Sequence, residues 1–471
     1  MTRAFSILCL LVLLSGCSTR EPEVAGGEIP SAETLAGGAT TVFDESINAF
    51  SLPAANLSIS RRDRFSIGNS FFRNPWVIAP STTRARDGLG PLYNTNTCQS
   101  CHVKDGRGQL PAEGEPMVSA LVRLSIPATT VAEPEIVQHD GIVPEPVYGG
   151  QLNTLAIPGI SPEAQPRLHF QYTSGQFADG ERYELRKPLL TIEEPAYGEL
   201  HPQTMTSLRV APAMIGLGLL EAIAEQDILA HADPEDSDHD SISGRPNRVW
   251  EIKSQRQVLG RFGWKAGQPS VRQQSAGAFD GDLGITSTLF PTQPCTEKQT
   301  ICRQAPAGGE PEISDEILDF VAFYAKTLAV PARRRVEDDE VQHGRLLFEE
   351  ARCALCHVPR YRTGRLEDFP ELSMQEIHPY TDLLLHDMGE GLSDGRPEFE
   401  ASGSEWRTPP LWGLGLVPVV NGHSFFLHDG RARNLMEAIL WHSGEAEQSR
   451  LRVLSMNGQE RTALLAFLNS L

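Results

Sequence analysis

Two segments of the chain carry the same five-residue pattern, Cys98-Gln99-Ser100-Cys101-His102 and Cys353-Ala354-Leu355-Cys356-His357. Cysteines three positions apart lie on one face of a helical turn. There they reach the two vinyl groups of one porphyrin, and the histidine that follows directs an imidazole nitrogen at the iron. Both stretches therefore predict covalently bound haem c. Thioethers are expected at Cys98, Cys101, Cys353 and Cys356, with His102 and His357 as iron ligands. A fold built on this pattern has to enclose two rigid, planar groups. Two rivals explain less. A thioredoxin-like dithiol needs a βαβ setting, which the sequence lacks, and leaves both histidines idle. A zinc site could draw on both motifs, but they start 255 residues apart, each beside its own helical stretch.

Attachment of haem c takes place outside the cytoplasm, and the N-terminus fits that. Arg3 precedes an apolar run from Ile7 to Leu14, too short to span a bilayer but right for a signal peptide over 1–17. Leu14-Ser15-Gly16-Cys17 resembles a bacterial lipobox, which makes Cys17 the expected site of lipidation. The expected location is the periplasm of a Gram-negative bacterium, tethered by lipid at the outer membrane and touching the membrane only through that anchor. In an oxidising compartment Cys295 and Cys302, seven positions apart, are expected to form a disulfide. The formal net charge of −20 argues against nucleic acid as a partner and favours a basic one.

The composition of 18–60, rich in Gly, Ala, Ser, Glu and Pro, predicts a flexible linker. A helix is expected over "GEPEISDEILDFVAFYAKTLAVP", capped by Ser314 and stopped by Pro331. Others are expected at "EDDEVQHGRLLFEEARCALCHVP", leading straight into the second motif, and at the C-terminal "GQERTALLAFLNSL", and another over "TSLRVAPAMIGLGLLEAIAEQDILAHA", where Met214, Leu217, Leu220 and Ile223 recur at helical spacing. The stretch 110–200, with many prolines, reads as loops and short strands. The expected fold is mainly α. It has two cytochrome c-like helical modules, 61–332 and 333–471, the first with large loop and short-strand insertions.

One loop has cation chemistry of its own. "DPEDSDHDSISGRPN" puts Asp236, Asp238 and Asp240 at alternating positions, with the carbonyl of Ile242 next, as in a calcium-binding loop. It departs from the full pattern at Ser241, where glycine is expected, and at Asn247, where a bidentate glutamate is expected.

Several longer stretches resemble a known family: "DGLGPLYNTNTCQSCHVKDGRG", "SLRVAPAMIGLGLLEAI", "FGWKAGQPSVRQQSAGAF", "LLLHDMGEGLSDG" and "EWRTPPLWGLG" with "FFLHDGRARNLMEAILWHSGEA". They are similar to the di-haem oxidoreductases of the peroxidase type, relatives of bacterial di-haem cytochrome c peroxidases, over roughly 60–471. The resemblance implies two haems, a calcium dependence that supports the acidic loop, and a second iron ligand fourteen residues past the histidine of "HDGR". That histidine is His428, and the position is His442, opposite His357. Rivals for the same role are Met388 and His386 in "LLLHDMGEG"; His428 itself is expected to support the site without touching iron. For the N-terminal haem, Met205, Met214 and His201 are candidate ligands, Glu221 is the candidate acid–base group, and Trp76, Trp264 and Trp412 are candidate electron relays. The implied activity is reduction of hydrogen peroxide, with electrons passed from a donor cytochrome or other redox protein through the C-terminal to the N-terminal haem. Alternatives are an electron-transfer lipoprotein with both irons closed by histidine, or oxidation of a partner protein through high-valent haem.

Overall fold

Gly68 and Gly344 let two pairs of helices touch backbone to backbone. In the computed structural model, which describes residues 32–128 and 133–471, helix Ile59–Arg73 packs on Asp315–Lys326. A Cβ on Gly68 would lie 2.1 Å from the carbonyl oxygen of Phe320. Helix Asp339–Glu350 packs on Gly458–Ser470 in the same way, and a Cβ on Gly344 would lie 1.9 Å from the oxygen of Ala463. Each pair closes over a core: Phe65, Phe72, Leu318 and Tyr324 in the first, Val341, Phe348, Leu464 and Phe467 in the second. Cys98 packs at the edge of the first core and Cys353 at the edge of the second.

The chain is not mainly α. Helix accounts for 30% and strand for 18%. The strands form six separate antiparallel pairs among the described residues. The longest ladder joins Gln165–Gln176 to Arg182–Glu193, from Gln165 opposite Glu193 to Gln176 opposite Arg182. β-Branched, aromatic and leucine side chains suit such a ribbon, and Gly180 (φ 95°) closes its turn. The ribbon does not end in solvent. Phe177 at its tip is buried beneath Arg461, the Ala178 N–H donates to the Leu454 carbonyl at 3.0 Å, and Arg461 pairs with Asp179 at 2.8 Å. An insertion of the first half is thereby fastened to the last two helices. Residues 32–471 form one compact unit.

Two further expectations are corrected. The stretch 206–232 is not one helix. It begins in the strand Met205–Val210, turns at Pro212 and at left-handed Gly216 (φ 70°), and continues as two short helices, Leu217–Glu221 and Glu225–Leu229. Nor is the chain a tether from Ala32 on. Ala36, Ala49, Phe50, Ala54 and Leu57 are buried, and Val42 and Pro53 bridge to Pro331 and Leu328. Its alanines and Phe50 fit a groove that composition alone does not show. Cys295 and Cys302 are joined as a disulfide, with Cα atoms 5.8 Å apart. The signal segment and Cys17 lie outside the described residues. Among the described residues no helix is long and apolar enough to cross a membrane.

The two crossing glycines should not tolerate a methyl group. Gly68→Ala and Gly344→Ala are each expected to destabilise by ~1–3 kcal/mol, because backbone rather than a flexible side chain must move. Gly277, inside helix Val271–Leu283, is the control: its Cβ would meet nothing closer than 3.8 Å. Gly277→Ala is expected to raise stability by roughly 0.5–1 kcal/mol. Denaturant melts of the three variants check both signs.

Candidate functional site

The segment Cys98–Cys101 is one turn of helix, started by Thr97, whose hydroxyl accepts from the Ser100 N–H at 3.0 Å. The His102 N–H donates to the Cys98 carbonyl at 3.0 Å, so thiols and imidazole emerge on one side. His102 Nδ1 donates to the Pro212 carbonyl at 2.8 Å. That bond fixes the tautomer and leaves Nε2 as the nitrogen with a free lone pair. Burial holds the ring's pKa below its ordinary value, so it is neutral and able to ligate a metal. Cys98, Cys101 and His102 line a cavity of about 270 Å³, walled elsewhere by apolar groups such as Phe262 and Phe279.

The second motif repeats the device. His357 N–H donates to the Cys353 carbonyl at 2.9 Å, and His357 Nδ1 donates to the Tyr380 carbonyl at 2.9 Å. Its pKa is lowered to about 4, by burial first and by the neighbouring His442 as well. Cys353, Cys356 and His357 line a cavity of about 190 Å³, and His442 lines it too. His442 follows helix Leu435–Leu440 and donates Nδ1 to the Ala438 carbonyl at 2.7 Å. Its Nε2 is likewise free, and burial lowers its pKa. Three histidines are therefore held from behind by a carbonyl, and two of them share one cavity.

The rival residues have other surroundings. His386 has both nitrogens occupied: Nε2 lies 2.7 Å from Asp382 and Nδ1 lies 2.6 Å from Glu445. Burial opposes its charge, but the Asp382 carboxylate outweighs this and the pKa rises well above 6.5. An imidazolium clamped in this way has no lone pair for iron. Met388 does line the cavity. His428 lies flat on Trp406, centroids 3.6 Å apart, and also lines the cavity. For the N-terminal cavity only Met214 of the three candidates is on the wall, two residues past the Pro212 that holds His102 from behind; Met205 and His201 are not among its lining residues.

Glu221 does not reach either cavity. One carboxylate oxygen pairs with Lys326 at 2.5 Å and the other accepts from the Val271 N–H at 2.6 Å, at the start of helix Val271–Leu283. Its charge is used on a helix terminus and a lysine, so the acid–base expectation is withdrawn. The acidic loop is also rearranged. Asp236 and Asp238 converge with Asp233, which the spacing did not indicate. Asp240 turns away to Arg352 at 2.7 Å, and the Ile242 N–H donates back to Asp240 at 2.8 Å. Calcium takes about six to eight oxygens, and this loop converges three carboxylates.

The two cavities share a wall. Arg107, Trp264, Arg407, Pro409 and Pro410 line both. The Trp264 N–H donates to the Val210 carbonyl at 2.8 Å, which fixes the indole in that wall. Trp76 and Trp412 lie instead in apolar cores. Sequence reasoning missed Asp382, Glu445 and both arginines. Arg107, Arg407 and Glu445 all lie inside the stretches that carry the family resemblance and were open to notice; Asp382 has no local signal.

Each cavity offers two thiols, an imidazole lone pair and an apolar slot, which is the donor set of a bound haem. A chain with two of them is of the two-haem class. The family model described as "Di-haem oxidoreductase, putative peroxidase" matches residues 31–471, and the chain belongs to that family. No curated protein and no solved structure matches it.

The Asp382–His386–Glu445 bridge generates a prediction. Removing the imidazole leaves two carboxylates facing each other in a buried site, which costs ~3–5 kcal/mol. His386→Leu should lower the melting temperature accordingly. In the wild type the folded pKa lies above the unfolded 6.5, so the stabilisation is complete below that pH and is lost as pH rises through the folded value. Melting temperatures of the wild type should fall over that alkaline range, and this component should be missing in the leucine variant.

Proposed function

We propose that the protein is a c-type di-haem peroxidase. In this reading Cys98, Cys101, Cys353 and Cys356 carry the thioethers, His102 and His357 are the proximal ligands, and His442 closes the C-terminal centre. The observation that carries the reading is the asymmetry of the cavities. The C-terminal one has two imidazoles with free Nε2 atoms, whereas the N-terminal one has His102 alone. A centre closed on both faces suits electron transfer, and a centre with a free face can accept a small oxidant.

The haems, when bound, supply one-electron transfer and, at the open position, a binding site for peroxide. The chain's own residues do the rest. His102 and His357 are kept neutral and aimed by the Pro212 and Tyr380 carbonyls. Gln268, Gln274 and Arg123 put polar groups in the N-terminal wall, where peroxide can be held by hydrogen bonds. Asp282 and Glu398 are the carboxylates of that wall. Reducing one hydrogen peroxide to two waters consumes two electrons and two protons. In this reading a donor redox protein would deliver electrons at the C-terminal centre, and Trp264, in the wall shared by the two cavities, would stand between it and the N-terminal one. The acidic surface favours a donor with a basic face. Export, a lipid on Cys17 and a periplasmic place at the outer membrane belong to the same proposal.

Stopped-flow spectroscopy of the half-reduced protein with hydrogen peroxide is the direct test. Fast reoxidation and a high-spin signal from one haem are expected. Low-spin signals alone, before and after half-reduction, with no binding of cyanide or peroxide, would replace this reading with an electron-transfer lipoprotein. His442→Ala should convert one low-spin haem to high spin and leave the other unchanged. An unaltered spectrum would move the ligand to Met388.

A further inference from the structure

Most deeply buried cations near the two cavities have a carboxylate partner. Lys265 meets Asp394 at 3.3 Å, Arg209 and Arg396 meet Glu398 at 2.8 and 2.9 Å, and Arg431 meets Asp429 at 2.7 Å. Arg107 and Arg407 are different. No carboxylate lies within ion-pair distance of either among the described residues. Arg107 donates Nε to the Phe425 carbonyl at 3.2 Å and Nη2 to the Leu427 carbonyl at 2.8 Å. Arg407 donates Nε to the Gly263 carbonyl at 2.9 Å and Nη1 to the Thr408 carbonyl at 3.0 Å. Arg107 Nη1 and Arg407 Nη2 donate to no protein group among the described residues. Burial lowers both guanidinium pKa values to about 10, which leaves them charged at neutral pH.

A buried cation without a counter-ion is unfavourable unless an anion arrives to pair with it. The place where it can arrive is restricted, because both arginines line both cavities. The carbonyls orient each guanidinium from behind, as they orient the histidines, and leave one terminal nitrogen free. The free nitrogen of a charged guanidinium donates a charge-assisted hydrogen bond to a carboxylate. The carboxylates that a haem carries are its two propionates, on the edge away from the vinyl groups that meet the cysteines.

We propose that Arg107 and Arg407 form one anion site in the shared wall, which binds propionate carboxylates of both haems and couples their potentials. The inference rests on the two-haem reading of the cavities. A positive charge beside a haem favours its reduced state, so a charge between two haems raises both potentials. Trp264 lies in the same wall, with the Arg107 guanidinium 5.4 Å from its ring centre.

The test is a spectroelectrochemical titration of the purified holoprotein and of Arg107→Gln and Arg407→Gln, after haem content has been counted in each. In either glutamine variant both midpoint potentials should fall together, and the lysine variants, Arg107→Lys and Arg407→Lys, should restore most of the drop. Unchanged potentials, or a shift confined to one haem, overturn the shared site. If a glutamine variant does not fold, the lysine variants decide: resonance Raman propionate bending modes should shift for both haems, and modes identical to wild type refute the proposal. A wild-type preparation with fewer than two haems per chain would instead defeat the underlying reading.

Discussion

A hydrogen bond from Nδ1 to a backbone carbonyl decides which nitrogen of each key histidine is available. It is made three times, to Pro212, Tyr380 and Ala438. In each case it fixes one tautomer, and burial removes the competing proton from Nε2. The rest of the structure serves to put those carbonyls in place. Pro212 follows the strand Met205–Val210, Tyr380 packs under Phe348 and Phe467, and Ala438 is in the helix that ends before His442. His386 shows the opposite outcome. Carboxylates on both nitrogens make it a cation, and it ties the 382–387 segment to the 442–445 turn.

The two cavities meet at a wall that is charged as well as aromatic. Lys265 lies 4.2 Å from the centre of the Trp406 ring, and Trp406 stacks on His428. Buried charges are tolerated there because nearly every one is matched by a carboxylate, and the arginines that are not matched face the cavities. The long ribbon adds mechanical linkage. Its tip is buried against the last two helices, and Arg186 on its second strand donates to the Arg431 carbonyl at 3.1 Å, beside the His428 segment. An insertion between the two motifs thus supports the loops of the C-terminal cavity.

Much of the helical framework was legible. The helix Asp315–Lys326 and the helix before the second motif have clear apolar periodicity, and these two and the C-terminal helix all have clear N-terminal caps. The overall class was not legible. The extra strands pair in twos, and ladders of two strands have little hydrophobic alternation of their own; each is stabilised by what it packs on. The helix expected over 206–232 failed where Pro212 and left-handed Gly216 break the chain, although its apolar spacing was helical. Gly68 and Gly344 carried a faint signal, since a glycine inside a helix needs a reason.

The sequence by itself determined that each motif presents two thiols and an adjoining imidazole together. Cysteine spacing and an adjoining histidine are local, and one helical turn is enough to present them together. The family resemblance, not the sequence alone, pointed to His442, fourteen residues past His428. Which histidine has a free lone pair, which glutamate is occupied by a lysine, and which arginines lack a partner were decided only by the tertiary structure. The physical reason is that a titratable side chain takes its role from the groups it meets. For Glu221 those groups are 50 and 105 positions away, and for His386 Glu445 is 59 positions away.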